Sequence, residues 1–162
     1  VMTAEKIDFN IADSWLVFSS PNCTIVGRAM DGIEDYPVEP ITEFLETSFD
    51  SVCTVNKNTL LSLLDRIALF VGPYDDKAIR LTFTEAGLTI QSLQTNGVET
   101  IGYESQKEYQ PFTCQIDIEY LLDEVKSVAG DLVEIHYGLD NAIKIVEGNM
   151  TIVIALMVEE EA

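Results

Sequence analysis

Few side chains in this sequence have the type and spacing that catalysis or metal binding requires. The single histidine, His136, lies in a strand-like run, and we expect it to be structural or exposed. No two cysteines form a Cys-x-x-Cys pair, so no recognisable zinc-ligand spacing is present. The sequence therefore predicts buried, reduced thiols of a cytosolic protein. The three cysteines are Cys23, Cys53 and Cys114.

The acidic residues give no stronger indication of chemistry. Asp31, Glu34, Asp35 and Glu39 are close in sequence, but their spacing does not match a calcium-binding EF-hand loop. The sequence also contains no nucleophile motif and no glycine-rich phosphate loop. An enzyme is therefore disfavoured, and we expect no catalytic residue, no metal site and no cofactor.

Composition narrows the class of partner. The 162 residues carry a formal net charge of −19, which on average repels nucleic acid and anionic membranes. This average does not exclude a local basic strip. No apolar run approaches the ~20 residues that cross a bilayer, so we expect no membrane partner.

The elements that must position any functional side chain come from an internal repeat. Cys53–Asn56 with Leu60-Leu61 returns as Cys114–Asp117 with Leu121-Leu122, at a constant offset of 61 positions. Each copy predicts a short strand, a helix and three strands separated by turns. The predicted fold class is α+β, with tandem βαβββ units and helices on one face of antiparallel sheets.

Local signals set the expected ends of these elements. Asn56 or Asn58 in the first copy, and Asp117 in the second, are expected to be helix N-caps. The first helix is expected to reach about residue 71, covered on more than one face, and the second about residue 129. Asn96-Gly97 predicts a hairpin turn with positive φ before a strand over 98–104.

Alternating apolar residues and turn signals over 6–30 predict a meander of three strands with two tight turns. This meander lacks a leading strand and helix, so we expect the chain to begin inside a domain of a longer protein. Pro37 and Pro40 lie among acidic residues and lack backbone N–H groups, which predicts an extended connector. The predicted division is 1–33 for the last strands of a truncated middle domain, 34–51 for the connector, 52–158 for a complete C-terminal domain (units 52–106 and 110–158), and 159–162 for an acidic tail.

Five local motifs occur in a fixed order: Gly32–Val38, Leu64–Leu69, Ala78–Leu81, Gly87–Ile90 and Ile116–Asp123. In order and spacing they resemble the C-terminal part of the bacterial DNA polymerase III beta subunit, a DNA sliding clamp. The resemblance implies a ring-shaped homo-oligomer that encircles duplex DNA and performs no chemistry. It also implies tethering of polymerase and clamp-loader subunits through short peptide motifs, in the cytoplasm at the nucleoid.

The resemblance also assigns two groups of residues. Basic residues of the helices that would face DNA are Lys57, Arg66 and Lys126. A hydrophobic pocket for partner peptides would be formed by Pro37, Val38, Tyr120, Ile143, Ile152, Ile154, Ala155 and Leu156. Aliphatic walls with one tyrosine suit a Leu or Phe anchor.

Simpler interpretations stay open for both groups. The three basic residues could form surface ion pairs worth under ~1 kcal/mol. The alternation in the last strand is also typical of any half-buried strand. Acidic residues on the same helices favour a second hypothesis, a clamp-derived module that captures peptides without encircling DNA. Those acidic residues are Asp65, Glu119, Asp123 and Glu124.

Overall fold

The computed structural model describes residues 6–12, 14–29, 37–72, 77–105, 110–139 and 141–157. The chain divides into two compact units, Val1–Thr42 and Glu43–Ala162. The acidic tail and most of the predicted connector motif Gly32–Val38 lie outside the described residues.

The first unit contains a three-stranded antiparallel sheet in the order β1-β2-β3, which confirms the predicted meander. Its strands are β1 (Asp8–Ala12), β2 (Trp15–Ser20) and β3 (Cys23–Arg28). Phe9 pairs with Phe18, and Phe18 pairs with Ile25, so these side chains share one face of the sheet. The described residues of this unit leave all three exposed.

A helix, α1 (Val38–Glu46), replaces the extended backbone that the two prolines predict, so that expectation is wrong here. Pro40 is the third residue of α1. The backbone N–H groups of the first turn have no helical acceptor, so the N–H that proline lacks costs the helix no hydrogen bond. The carbonyl of Pro37 accepts the hydrogen bond from the N–H of Ile41 at 3.2 Å. The division between the two units falls inside this helix.

In its described residues the second unit has two complete helices, the end of α1 and two antiparallel sheets, which confirms the predicted fold class. The first copy of the repeat comprises β4 (Ser51–Asn56), α2 (Lys57–Ala68), β5 (Ala78–Thr84), β6 (Gly87–Ser92), β7 (Val98–Ile101) and β8 (Glu104–Ser105). The second copy comprises β9 (Phe112–Asp117), α3 (Ile118–Ser127), β10 (Leu132–Leu139), β11 (Ala142–Glu147) and β12 (Met150–Ala155). The sheet orders are β12-β11-β10-β4-β8 and β7-β6-β5-β9.

The two copies exchange their leading strands. β4 of the first copy pairs with β10 of the second, placing Val55 opposite Val133. β9 of the second copy pairs with β5 of the first, placing Ile116 opposite Ile79. Each sheet therefore needs both copies. The strand predicted over 98–104 is split, since β7 stays in the four-stranded sheet while β8 joins the other.

Both predicted N-caps are confirmed at matching positions of the repeat. The side chain of Asn56 accepts a hydrogen bond from the N–H of Thr59 at 3.0 Å, and that of Asp117 accepts from Glu119 at 2.7 Å. The helices end at Ala68 and Ser127, slightly before the expected positions. Their apolar faces share one core with the inner faces of the sheets.

The β6–β7 hairpin forms as predicted, but Gly97 is not among the glycines with positive φ. It is needed for space, because a Cβ there would lie 2.9 Å from a ring carbon of Phe70. Cys53 and Cys114 are buried as expected, whereas Cys23 is exposed, which contradicts the expectation for that residue.

Candidate functional site

Lys57, a predicted DNA-facing residue, is the first residue of α2 and lies close to the C-terminal end of α3. Its Nζ donates hydrogen bonds to the carbonyl oxygens of Lys126, at 3.3 Å, and of Val128. The last carbonyls of a helix lack helical donors and carry partial negative charge, which a lysine ammonium stabilises. Lys57 therefore has a structural partner on the neighbouring helix.

The other two predicted DNA-facing residues form ion pairs on the surface. Arg66 Nε lies 2.7 Å from Glu99 Oε1, and this hydrogen bond raises the pKa of Arg66 and lowers the pKa of Glu99. Lys126 Nζ lies 4.0 Å from Asp123, one helical turn away. Exposed pairs of this kind are screened by solvent and weak, so they leave both cations available to an external phosphate.

The charge of the helical surface is close to neutral. α2 and α3 together carry three basic and four acidic residues. Lys77 adds a further positive charge, but it pairs with Glu119, whose hydrogen bond raises the pKa of Lys77. Among the described residues of this surface, a phosphate backbone would meet scattered cations and no basic strip.

The predicted peptide-pocket residues of the second unit divide between core and surface. Ile143 and Ile154 face each other on β11 and β12, and both are buried in the hydrophobic core. Ile152 and Leu156 are partly buried against that core. These four aliphatic residues therefore form one continuous apolar surface, of which only part is accessible.

The remaining predicted pocket residues are exposed. Tyr120, in the first turn of α3, has 65% of its surface accessible. Ala155 alternates with Ile154, so it projects from the opposite face of β12. Pro37 and Val38 belong to the first unit and are exposed there.

A cavity of about 160 Å³ lies elsewhere, between the C-terminal end of α2 and the N-terminal end of α3. Ala68, Val71 and Leu122 line its apolar wall, and the Lys77–Glu119 ion pair is also part of its lining. None of the predicted pocket residues lines this cavity. It therefore does not substitute for the predicted pocket.

An exposed apolar surface at the end of α2 was missed by sequence reasoning. Leu69 is 83% exposed, although the periodicity predicts a helix covered on more than one side. Phe70, which is 49% exposed, packs against Gly97 beside the exposed Val98 of β7. β7 is an edge strand. We name the surface formed by Leu69, Phe70 and β7, which begins at Val98, the α2–β7 edge.

The described residues offer neither a metal site nor a membrane-spanning helix. Within the described ranges, no group of three His, Cys, Asp or Glu residues is placed to hold a metal ion. Among the helices in the described part of the chain, none is long and apolar enough to span a membrane.

No family model and no curated protein matches this sequence. Solved structures do match. The DNA polymerase III subunit beta from Pseudomonas aeruginosa aligns with a TM-score of 0.75 at 17% identity, over 94% of this chain and 42% of that chain. The DNA polymerase sliding clamp from Bacillus subtilis aligns with a TM-score of 0.74 at 19% identity, over 95% of this chain and 41% of that chain.

A third structure, the P. aeruginosa sliding clamp bound to griselimycin, aligns with a TM-score of 0.74 at 17% identity, over 94% of this chain and 41% of that chain. These likenesses establish that the chain has the sliding-clamp fold. The chain spans about 42% of the length of the P. aeruginosa protein.

Proposed function

We propose that this chain forms part of a ring-shaped DNA sliding clamp, which tethers a replicative polymerase and clamp-loader subunits to duplex DNA. The observation that carries the proposal is the architecture of the second unit. Two adjacent helices cover one face of two sheets that exchange strands, and this arrangement belongs to the sliding-clamp fold. Such a protein acts by topology, so it performs no chemistry and needs no cofactor.

The helical surface of α2 and α3 is the proposed DNA-facing wall. Its three cations are each held by a neighbouring group, and acidic residues lie among them. Affinity for the phosphate backbone grows with the number of phosphates that a protein neutralises. A near-neutral wall therefore favours weak, sequence-independent contacts, which allow a ring to slide.

The α2–β7 edge is the proposed contact between subunits of a homo-oligomeric ring. An edge strand offers unpaired backbone N–H and C=O groups, which a strand of another subunit can use to extend the sheet. Phe70, which packs against Gly97 directly before β7, supplies apolar area beside that strand, and its sequence neighbour Leu69 is also exposed. The Arg66–Glu99 pair adds one charge of each sign at the same place, since Glu99 belongs to β7.

Partner peptides are proposed to bind in the second unit, at the exposed Tyr120 and the accessible parts of Ile152 and Leu156. Pro37 and Val38, in the first unit, remain candidates from the sequence resemblance alone. Tyr120 is well exposed on a rigid helical turn, and a tyrosine ring makes a large contact at low entropic cost. Because Ile143 and Ile154 are buried, we propose that they support the pocket floor and do not contact the peptide.

Retention on DNA of different topology tests this function. The full-length protein is loaded onto nicked circular plasmid and onto the same plasmid after linearisation, and the bound fraction is measured by gel filtration. A ring is retained on circles and lost from linear DNA, because it slides off the ends. Absence of retention on either form contradicts the proposal and leaves a peptide-binding module that does not encircle DNA.

A further inference from the structure

A buried lysine that no proposed site uses holds the C-terminal end of α1 against the five-stranded sheet. Lys144 lies in β11 and is only 8% exposed. Its Nζ donates a hydrogen bond to the carbonyl oxygen of Thr47 at 3.0 Å, with a longer contact of 3.5 Å to that of Leu45. Leu45 belongs to the last turn of α1 and Thr47 directly follows it, at the end where a helix leaves its last acceptors without helical donors.

Phe49 completes the environment of this ammonium. Lys144 Nζ lies 5.0 Å from the centroid of the Phe49 ring, a cation–π contact in a desolvated place. The same ring meets His136 edge-on at 6.2 Å, and His136 is the cross-strand partner of Lys144. Phe49 is itself buried. Lys144 therefore contacts both the end of the helix and the segment that follows it.

These contacts lie on the outer face of the sheet. Ile143 and Ile145 point into the core that α2 and α3 cover, so Lys144 between them points to the opposite face. We name Glu43–Asp50, which crosses this face, the strap. No side chain of its helical part is fully buried, and Phe44 is only partly buried, so the apolar packing of the strap rests mainly on Phe49.

We propose that Lys144 is a latch that holds the strap closed, and that its release opens the strap without unfolding the sheets. Opening uncovers Phe49 and the outer face of β10 and β11 around His136. The inference goes beyond the proposed clamp function and does not depend on it, since every contact involved lies within the second unit.

Substitution of Lys144 tests the latch in the full chain. Lys144→Met keeps the aliphatic stem and removes the donors, whereas Lys144→Arg keeps a cation. Lys126→Met is the matched control, because Lys126 is exposed. The readouts are cleavage after Glu43 and Glu46 by a glutamate-specific protease, and amide hydrogen exchange in the strap and in β5 and β9.

If Lys144 is a latch, Lys144→Met accelerates cleavage and amide exchange in the strap about tenfold or more, while exchange in β5 and β9 stays unchanged. Lys144→Arg restores most of the protection, and Lys126→Met behaves as wild type. Equal rates for Lys144→Met and Lys126→Met overturn the proposal. An equal loss of protection in β5 and β9 also overturns it, because Lys144 would then stabilise the whole unit.

A second variant keeps the test decisive if Lys144→Met does not fold. Phe49→Leu keeps the ammonium and most of the apolar volume but removes the ring contact. It is expected to accelerate strap cleavage about threefold with β5 and β9 unaffected. Unchanged strap cleavage in Phe49→Leu overturns the proposal.

Discussion

The ammonium of Lys57, in the first turn of α2, donates a hydrogen bond to the carbonyl oxygen of Val128, just past the end of α3. The backbone reinforces this contact, because the N–H of Lys57 donates to the carbonyl of Asp131 at 2.9 Å. The second copy has an equivalent bond, in which the N–H of Ile118 donates to the carbonyl oxygen of Lys77 at 3.0 Å. Lys57 thus joins the two helices of the proposed DNA-facing wall.

The first prediction concerns the stability that Lys57 provides. Lys57→Met removes the donors at the end of α3 and is expected to lower the free energy of unfolding by about 1–2 kcal/mol. Urea denaturation followed by circular dichroism measures the loss. Lys126→Met is the control and is expected to cost under about 0.5 kcal/mol, because its pair is exposed. Equal stabilities of the two variants would contradict a structural role for Lys57.

The second prediction concerns the matched thiols of the repeat. Burial raises the pKa of Cys53 and of Cys114 from 9.0 to about 12. Between these values the unfolded thiols ionise while the folded thiols keep their protons. The stabilisation from burying these thiols is therefore fully present below pH 9, and the free energy of unfolding decreases as the pH rises towards 12.

Urea midpoints measured between pH 8 and 10.5 check this dependence. Cys53→Ala and Cys114→Ala each remove one thiol and are expected to flatten the decline, whereas Cys23→Ala, at an exposed position, leaves it unchanged. The same slope in all three variants would show that the buried thiols do not cause the decline.

In native protein at pH 8, only Cys23 is expected to react rapidly with a thiol reagent.

The third prediction concerns the α2–β7 edge. Leu69→Ser in the full-length protein is expected to weaken ring assembly at least tenfold without destabilising the subunit, because this side chain is mostly exposed. Sedimentation velocity over a range of concentrations measures the assembly. Leu132→Ser changes another exposed leucine, in β10, and serves as the control. If the two variants assemble equally well, the edge is not the subunit contact.

The fourth prediction concerns the peptide pocket. Tyr120→Ala is expected to reduce the affinity for a partner peptide with a Leu or Phe anchor about tenfold, since an aromatic contact is lost. Fluorescence anisotropy with a labelled peptide measures the affinity. Unfolding should be unaffected, because Tyr120 is exposed. Lys126→Met, on the same helix, is expected to bind as wild type. Unchanged affinity in Tyr120→Ala would remove Tyr120 from the pocket.

Sequence reasoning succeeded where the signal is local or repeated. Asn56 and Asp117 are N-caps because a short polar side chain at that position satisfies free N–H groups of its own first turn. The constant offset of the repeat predicts two βαβββ units, and both form. Neither signal requires knowledge of which elements come into contact in the folded protein.

The features that were missed depend on long-range contacts. The exchange of β4 and β9 between sheets is a choice of partner, which strand periodicity does not encode. Lys144 occupies a position that alternation assigns to solvent, but the strap covers that face. Leu69 looks like a core residue by composition and is exposed, because no described element of its unit covers that side of α2. The placement of the pocket and of the DNA-facing residues stays a prediction.

The most direct test of the clamp proposal is the lifetime of the full-length protein on a single circle of DNA before and after it is cut. The protein is loaded onto a singly nicked plasmid, excess protein is removed, and a restriction enzyme then opens the circle. A sliding ring stays bound for many minutes on the circle and leaves within seconds of cutting. A lifetime that cutting does not change would contradict topological binding.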